Sequence, residues 1–184
     1  MAATKVDANY RFIAASNEVN ARIAQRQQAL SLYITLVLGL LAALVAFRPD
    51  QPGQRVPVEW LVMGFPVASL CLVFLNYKTE CALTNLRRFL SVLERLDNVP
   101  SVLPSYNTDP QWSQGANRAR RFHDYTAAML VGASNAVAVG ALWRIYPQQA
   151  GWDQPLIWLT IGVALAAVGL LLWMPTQSYT PREG

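Results

Sequence analysis

Four stretches of this chain contain no charged residue: Ala29 to Phe47, Trp60 to Tyr77, Tyr125 to Trp143, and Gln154 to about Met174. Each approaches the ~20 residues that a helix needs to cross a ~30 Å hydrocarbon layer. The first and fourth, LSLYITLVLGLLAALVAF and PLIWLTIGVALAAVGLLLWM, are apolar around their whole circumference, whereas a surface helix of a soluble fold has one polar face. The second is interrupted by Pro66 and the third carries Ser134 and Asn135. Aromatic residues bracket both, Trp60 with Tyr77 and Tyr125 with Trp143, where amphipathic rings sit at a membrane interface. Composition agrees, since 53% hydrophobic and 14% charged residues over 184 positions is lopsided for a soluble domain. These runs argue against a soluble globular protein, a disordered chain, a disulfide-stapled secreted module and an outer-membrane barrel. The fold expected is all-α, an integral membrane four-helix bundle with helical cytoplasmic extensions of spans 1 and 2.

Orientation follows from Lys and Arg, which concentrate on the cytoplasmic side of short loops. Twelve of the fifteen lie in the N-terminal segment, between spans two and three, or in the tail; only Arg48, Arg55 and Arg144 fall in the two remaining loops. Both termini are therefore expected to be cytoplasmic, in a multi-pass protein of the bacterial inner membrane. The organisation reads as a cytoplasmic N-terminal helix (1–28), a transmembrane hairpin (29–76), a cytoplasmic helix with a Pro-rich connector (77–124), a second hairpin (125–175) and a cytoplasmic tail (176–184). The first apolar run begins only after some 28 polar residues and outruns a signal-peptide core, so it reads as an uncleaved anchor. Cys71 and Cys81 lie about 15 Å apart if one helix carries both, too far to bridge.

In the N-terminal segment, Val19, Ile23 and Leu30 fall at helical spacing, with Arg22 and Arg26 expected on another face. Glu18 and Arg22 form an i, i+4 pair. Beyond span two, Ala82, Leu86, Phe89, Leu90, Leu93 and Leu96 make an apolar stripe, opposed by Lys78, Arg87 and Arg95. Residues 98–115, NVPSVLPSYNTDPQWSQG, read as a turn-rich connector that cannot sustain a helix. NRARRFH follows, immediately before span three. Its plain reading is a positive-inside anchor at the headgroups. Its functional reading is a site for an anionic cytosolic ligand, a nucleotide or oligonucleotide, with Arg118, Arg120, Arg121 and His123 supplying charge-assisted contacts.

No Asp, Glu, Lys, Arg or His lies in the central part of any span, which argues against a proton relay or an ion-coupled pump. Motifs for intramembrane proteolysis, haem attachment and nucleotide loops are missing too, so no catalytic residue, metal site or cofactor is expected. What remains is a packing pattern. Gly132, Ala136 and Gly140 share one face of span three, with shorter versions at Gly39 and Ala43 and at Gly162 and Ala166; small residues let helices approach closely in lipid. Asn135, beside Ser134 near the middle of span three, needs a partner there. An interhelical bond within one subunit, a self-association contact and a polar ring lining a pore all satisfy that need. Pro66 removes one backbone hydrogen bond from span two and makes it a candidate hinge.

The passage NEVNARIAQRQQALSLYITLVLGLLAAL, residues 17–44, runs from a polar helix with paired Arg and Gln straight into the membrane. It resembles small prokaryotic membrane effectors such as the SLATT group. That resemblance implies a helical cytoplasmic part joined to a few spans, and pore formation in antiviral conflict on a nucleotide-type signal. This chain departs from that group in having four spans where two are typical, and no functional residue carries over. The expected function is an oligomeric channel or membrane-disrupting effector gated by an anionic ligand. The alternative is an accessory or scaffold subunit docking to a larger membrane complex through the 77–96 stripe; a carrier of neutral solutes is a weaker third.

Overall fold

A computed structural model describes residues 7–48, 58–97, 106–147, 151 and 153–177. The expected outer loops, most of the connector and the tail lie largely outside the described residues. Four helices follow in order: α1 (Ala8–Ala46), α2 (Val58–Asp97), α3 (Pro110–Ile145) and α4 (Pro155–Trp173), with a short 3-10 turn at Met174–Gln177. Among the described residues there is no strand, and the chain is an all-α four-helix bundle.

The helix lengths divide the molecule into two parts. α4, with 19 residues, rises about 28 Å, close to one hydrocarbon thickness. α1, α2 and α3, with 39, 40 and 36 residues, are about twice that long. Because successive helices run antiparallel, the start of α1, the end of α2 and the start of α3 emerge at the same end as a three-helix stem. The structure thus adds an extension on span three to the two expected.

Residues 110–115, expected as connector, open α3 instead. The Asp109 side chain accepts the backbone N–H of Gln111 at 2.8 Å, and Pro110 occupies the first turn, where its missing N–H costs nothing. Just before this cap, Asn107 donates its backbone N–H and its amide Nδ2 to the Glu94 carboxylate of α2, at 3.1 and 2.7 Å. Local capping chemistry outweighed the Pro- and Ser-rich composition.

In the membrane part α2 packs against α1, α4 and α3, and α4 lies between α2 and α3. One apolar core gathers Tyr33, Val37, Phe65, Leu72, Val131 and Leu171; a second, at the far end, gathers Leu44, Val58, Val62, Leu142, Tyr146 and Ile157. The Tyr146 hydroxyl closes the second core by donating to the Leu44 carbonyl at 2.8 Å. Outside these cores, Leu36, Leu38, Phe74, Met129 and Leu165 are exposed, an arrangement suited to acyl chains rather than water. Trp60, Tyr77, Tyr125, Trp158 and Trp173 are exposed near the ends of the apolar spans, as an interfacial belt requires.

Among the helical glycines, the one packed most tightly against a neighbouring helix lies outside the expected pattern. A Cβ on Gly64 would stand 3.0 Å from Leu40 Cδ2, so α1 and α2 meet there. Gly39, Gly140 and Gly162 have nothing within 4 Å of an added Cβ among the described residues, and Gly132 meets only Val168 at 3.8 Å. The expected small-residue faces remain open within one chain. α2 runs without a break through Pro66, whose side chain is fully buried.

Candidate functional site

Where the stem enters the membrane part, α1, α2 and α3 each contribute a buried charge to one cluster. Arg26 donates through Nη2 to Asp124 and through Nη1 to Glu80 Oε2 at 3.4 Å, while Arg120 donates through Nη2 to Glu80 Oε1. Two guanidinium groups and two carboxylates balance, which is the condition for burying charge at all. Arg26, Glu80 and Asp124 are buried, and Arg120 nearly so. Burial pulls the Arg26 guanidinium down from its ordinary value to about 10, against the favourable field of Glu80, so it stays charged at neutral pH.

This corrects the expected phase of the N-terminal helix. Arg26 faces inward at 5% exposure, whereas Ile23, expected on the apolar side, is 43% exposed. The inner face of α1 is set by its membrane half, Tyr33, Val37 and Leu44, and counting back seven residues from Tyr33 reaches Arg26. Arg87 is likewise buried and donates to Asn117 Oδ1 of α3 at 2.8 Å instead of opposing the stripe. Leu90 and Leu93 of that stripe are buried in the fold, Ala82 and Leu86 are half-buried, and Phe89 is exposed beside its off-stripe neighbour Val92.

The four expected ligand residues fall on two faces of α3. Arg118 and Arg121, three residues apart, are exposed; Arg120 and His123, also three apart, turn inward. His123 is held in its neutral form. Burial first, and the nearby Arg26 charge second, pull its pKa from 6.5 down to about 4, so the ring is neutral at pH 7.

Several buried polar atoms at this level have no partner among the described residues: Arg26 Nε, Arg120 Nε and Nη1, His123 Nε2, Thr84 Oγ1 and both amide atoms of Asn76. Asn76 is one turn above Glu80 on α2 and fully buried. Buried groups of this kind are ordinarily matched by solvent or by a ligand. The cluster therefore combines a neutralised ionic knot with spare donors on both arginines.

A second polar group lies about 16 Å deeper, eleven residues along α3 from Asp124. The Tyr33 hydroxyl contacts Ser134 Oγ at 2.5 Å and Ser69 Oγ at 3.2 Å. Asn135 Nδ2 donates to Ser69 Oγ at 2.9 Å and to the Val131 carbonyl at 2.8 Å. Of the three roles open to Asn135, its amide nitrogen takes the interhelical bond within one subunit. Its Oδ1 is buried without a partner among the described residues. Gly132, Ala136 and Gly140 line one wall of a cavity of about 340 Å³ between α3 and α4.

Sequence reasoning missed Glu80, Asp124, Tyr33, Ser69 and Asn76. The available signal was an acid within a turn of the charged end of spans two and three, in phase with Arg26 ahead of span one. Together the helices and these polar levels define a multi-pass membrane protein with four spans and an ion-paired three-helix stem. No family model, curated protein or solved structure matches the chain.

Proposed function

We propose that this protein is a homo-oligomeric channel or membrane-disrupting effector of the bacterial inner membrane, with both termini in the cytoplasm and no catalytic activity of its own. The observation that carries this reading is the knot of Arg26, Glu80, Arg120 and Asp124, which fastens three helices at the point where they enter the bilayer. A change there acts on three spans at once. Exposed Arg118 and Arg121 attract an anionic ligand, a nucleotide or oligonucleotide, to the stem. The ligand then competes with Glu80 for Arg120, whose Nε and Nη1 are spare donors.

Release of Glu80 lets α2 move relative to α1 and α3. A ligand biases that equilibrium only by its difference in affinity between the fastened and released states. Subunits associate through the open small-residue faces at Gly39 and Gly162. The resemblance of residues 17–44 to SLATT-type effectors supports a role in antiphage defence.

The test is reconstitution into dye-loaded liposomes, with adenosine triphosphate and a short oligoadenylate as probes. Wild type should release dye on addition of a probe. Arg118→Ala/Arg121→Ala should need more probe, and Arg120→Ala should leak without it. Wild type that stays silent with every probe and is monomeric by native mass spectrometry overturns the channel reading in favour of an accessory subunit.

A further inference from the structure

The stem half of α1 turns only one side to the bundle. Ala15 and Arg26 are buried there and Phe12, Val19 and Arg22 are half-buried, whereas Tyr10, Ile13, Asn17, Asn20, Ala24 and Gln27 are all exposed. Those six recur at alternating spacings of three and four residues, the period of a coiled-coil seam. Its first two members are large and bare, Tyr10 at 68% and Ile13 at 59% exposure. At about 100° per residue the seam runs down the side of α1 that faces away from α2 and α3.

The seam is also free of charge. α1 holds four charged residues, Arg11, Glu18, Arg22 and Arg26, and each stands about 130° or more round the helix from the middle of the seam. A face kept only for water has no need of this, and the exposed sides of the other two stem helices carry Arg88, Arg95, Arg118 and Arg121. Carboxamides take the place of charge. Asn17, Asn20 and Gln27 each present both a donor and an acceptor, so one such group pairs with an identical one, which a charged side chain cannot do. Two copies of one membrane protein enter the bilayer at the same residue and in the same direction, which holds their stems level and parallel. Each seam position then meets its own twin, and a charge there would meet its like.

We infer that this face of α1 is the contact surface for α1 of a second copy, the two forming a parallel, two-stranded coiled coil in the stem. Tyr10, Ile13 and Ala24 supply the apolar layers, and Asn17, paired with its twin, fixes the register. The surface lies outside the bilayer, apart from the faces at Gly39 and Gly162. It rests on the homo-oligomeric part of the proposed function and on neither its ligand nor its conductance.

The test is disulfide cross-linking of the full chain in native membranes, with Cys71→Ser/Cys81→Ser as background and copper phenanthroline as oxidant. Asn17→Cys, Asn20→Cys, Ala24→Cys and Gln27→Cys should give dimer about tenfold faster than Glu18→Cys, Arg22→Cys and Gln25→Cys, because only seam positions bring two Cα atoms within bridging distance. Asn17→Glu and Asn17→Lys, each carrying Ala24→Cys, should each lose about tenfold in cross-linking to themselves. Expressed together they should recover it as the mixed dimer, which also shows that both fold and insert. Equal rates at seam and flank, no recovery in the mixed pair, or cross-links to a different protein in place of a second copy each overturn the pairing. Native mass spectrometry separates this from failure of the oligomer itself: an oligomer without faster cross-linking at the seam overturns the coiled coil and leaves the proposed oligomer standing.

Discussion

Glu80 takes one guanidinium on each carboxylate oxygen, Arg120 on Oε1 and Arg26 on Oε2, and its side chain is 6% exposed. Removing one partner from a buried ionic set leaves the others charged and uncompensated, at a cost of about 3–5 kcal/mol. Glu80→Gln is therefore expected to lower the thermal midpoint in micelles sharply, and a change within the error of wild type refutes the knot. His123 gives a prediction in pH. Its folded pKa of about 4 lies below the unfolded 6.5, so between those values the unfolded chain binds the extra proton more readily. Stability falls as pH drops from about 6.5 towards about 4, and His123→Phe should show a shallower slope over that window in the same unfolding assay. Glu80 and Asp124 were hard to find in the sequence because charge near a span is usually a topological signal. Arg26 counts equally as a positive-inside residue and as a buried partner, and only its phase with Tyr33 and Val37 separates the two.

For whole helices, legibility depended on how much context each decision required. The spans were readable because hydrocarbon demands long uncharged runs regardless of what packs beside them. The start of α3 was not, since Asp109 and Pro110 form a helix start inside a segment whose composition favours turns. Helix contacts were legible only in kind. A small residue does lie in a tight interhelix contact, but it is Gly64, one of several glycines that local pattern alone ranks no higher than the rest. Gly64→Leu should destabilise the α1/α2 pair by about 1–3 kcal/mol through overpacking. Gly39→Leu, with nothing within 4 Å of its Cβ among the described residues, should cost far less. Resistance to unfolding by sodium dodecyl sulfate measures both, and equal losses would place the crossing elsewhere.

Taken as a whole, the molecule is a four-rod membrane part with a three-rod stem, and its orientation can be tested with its own cysteines. Cys81 is exposed just beyond span two at the stem end, whereas Cys71 is exposed within the span. A membrane-impermeant maleimide should label Cys81 in inverted vesicles and not in spheroplasts, and Cys81→Ala should remove the label. Labelling only in spheroplasts reverses the orientation. The knot also bears on how the chain is made. Arg26 and Asp124 are 98 residues apart, so the first helix leaves the ribosome long before its last counterion exists. Until α3 is synthesised, Arg26 has Glu80 alone as its acidic partner in the knot, a one-to-one pair, and the second acid and second guanidinium, Asp124 and Arg120, arrive together on α3. Each hairpin therefore brings a balanced acid and base to the knot, so the first can close as a neutral unit and the second can dock on it by exchanging partners, Arg26 gaining Asp124 and Glu80 gaining Arg120.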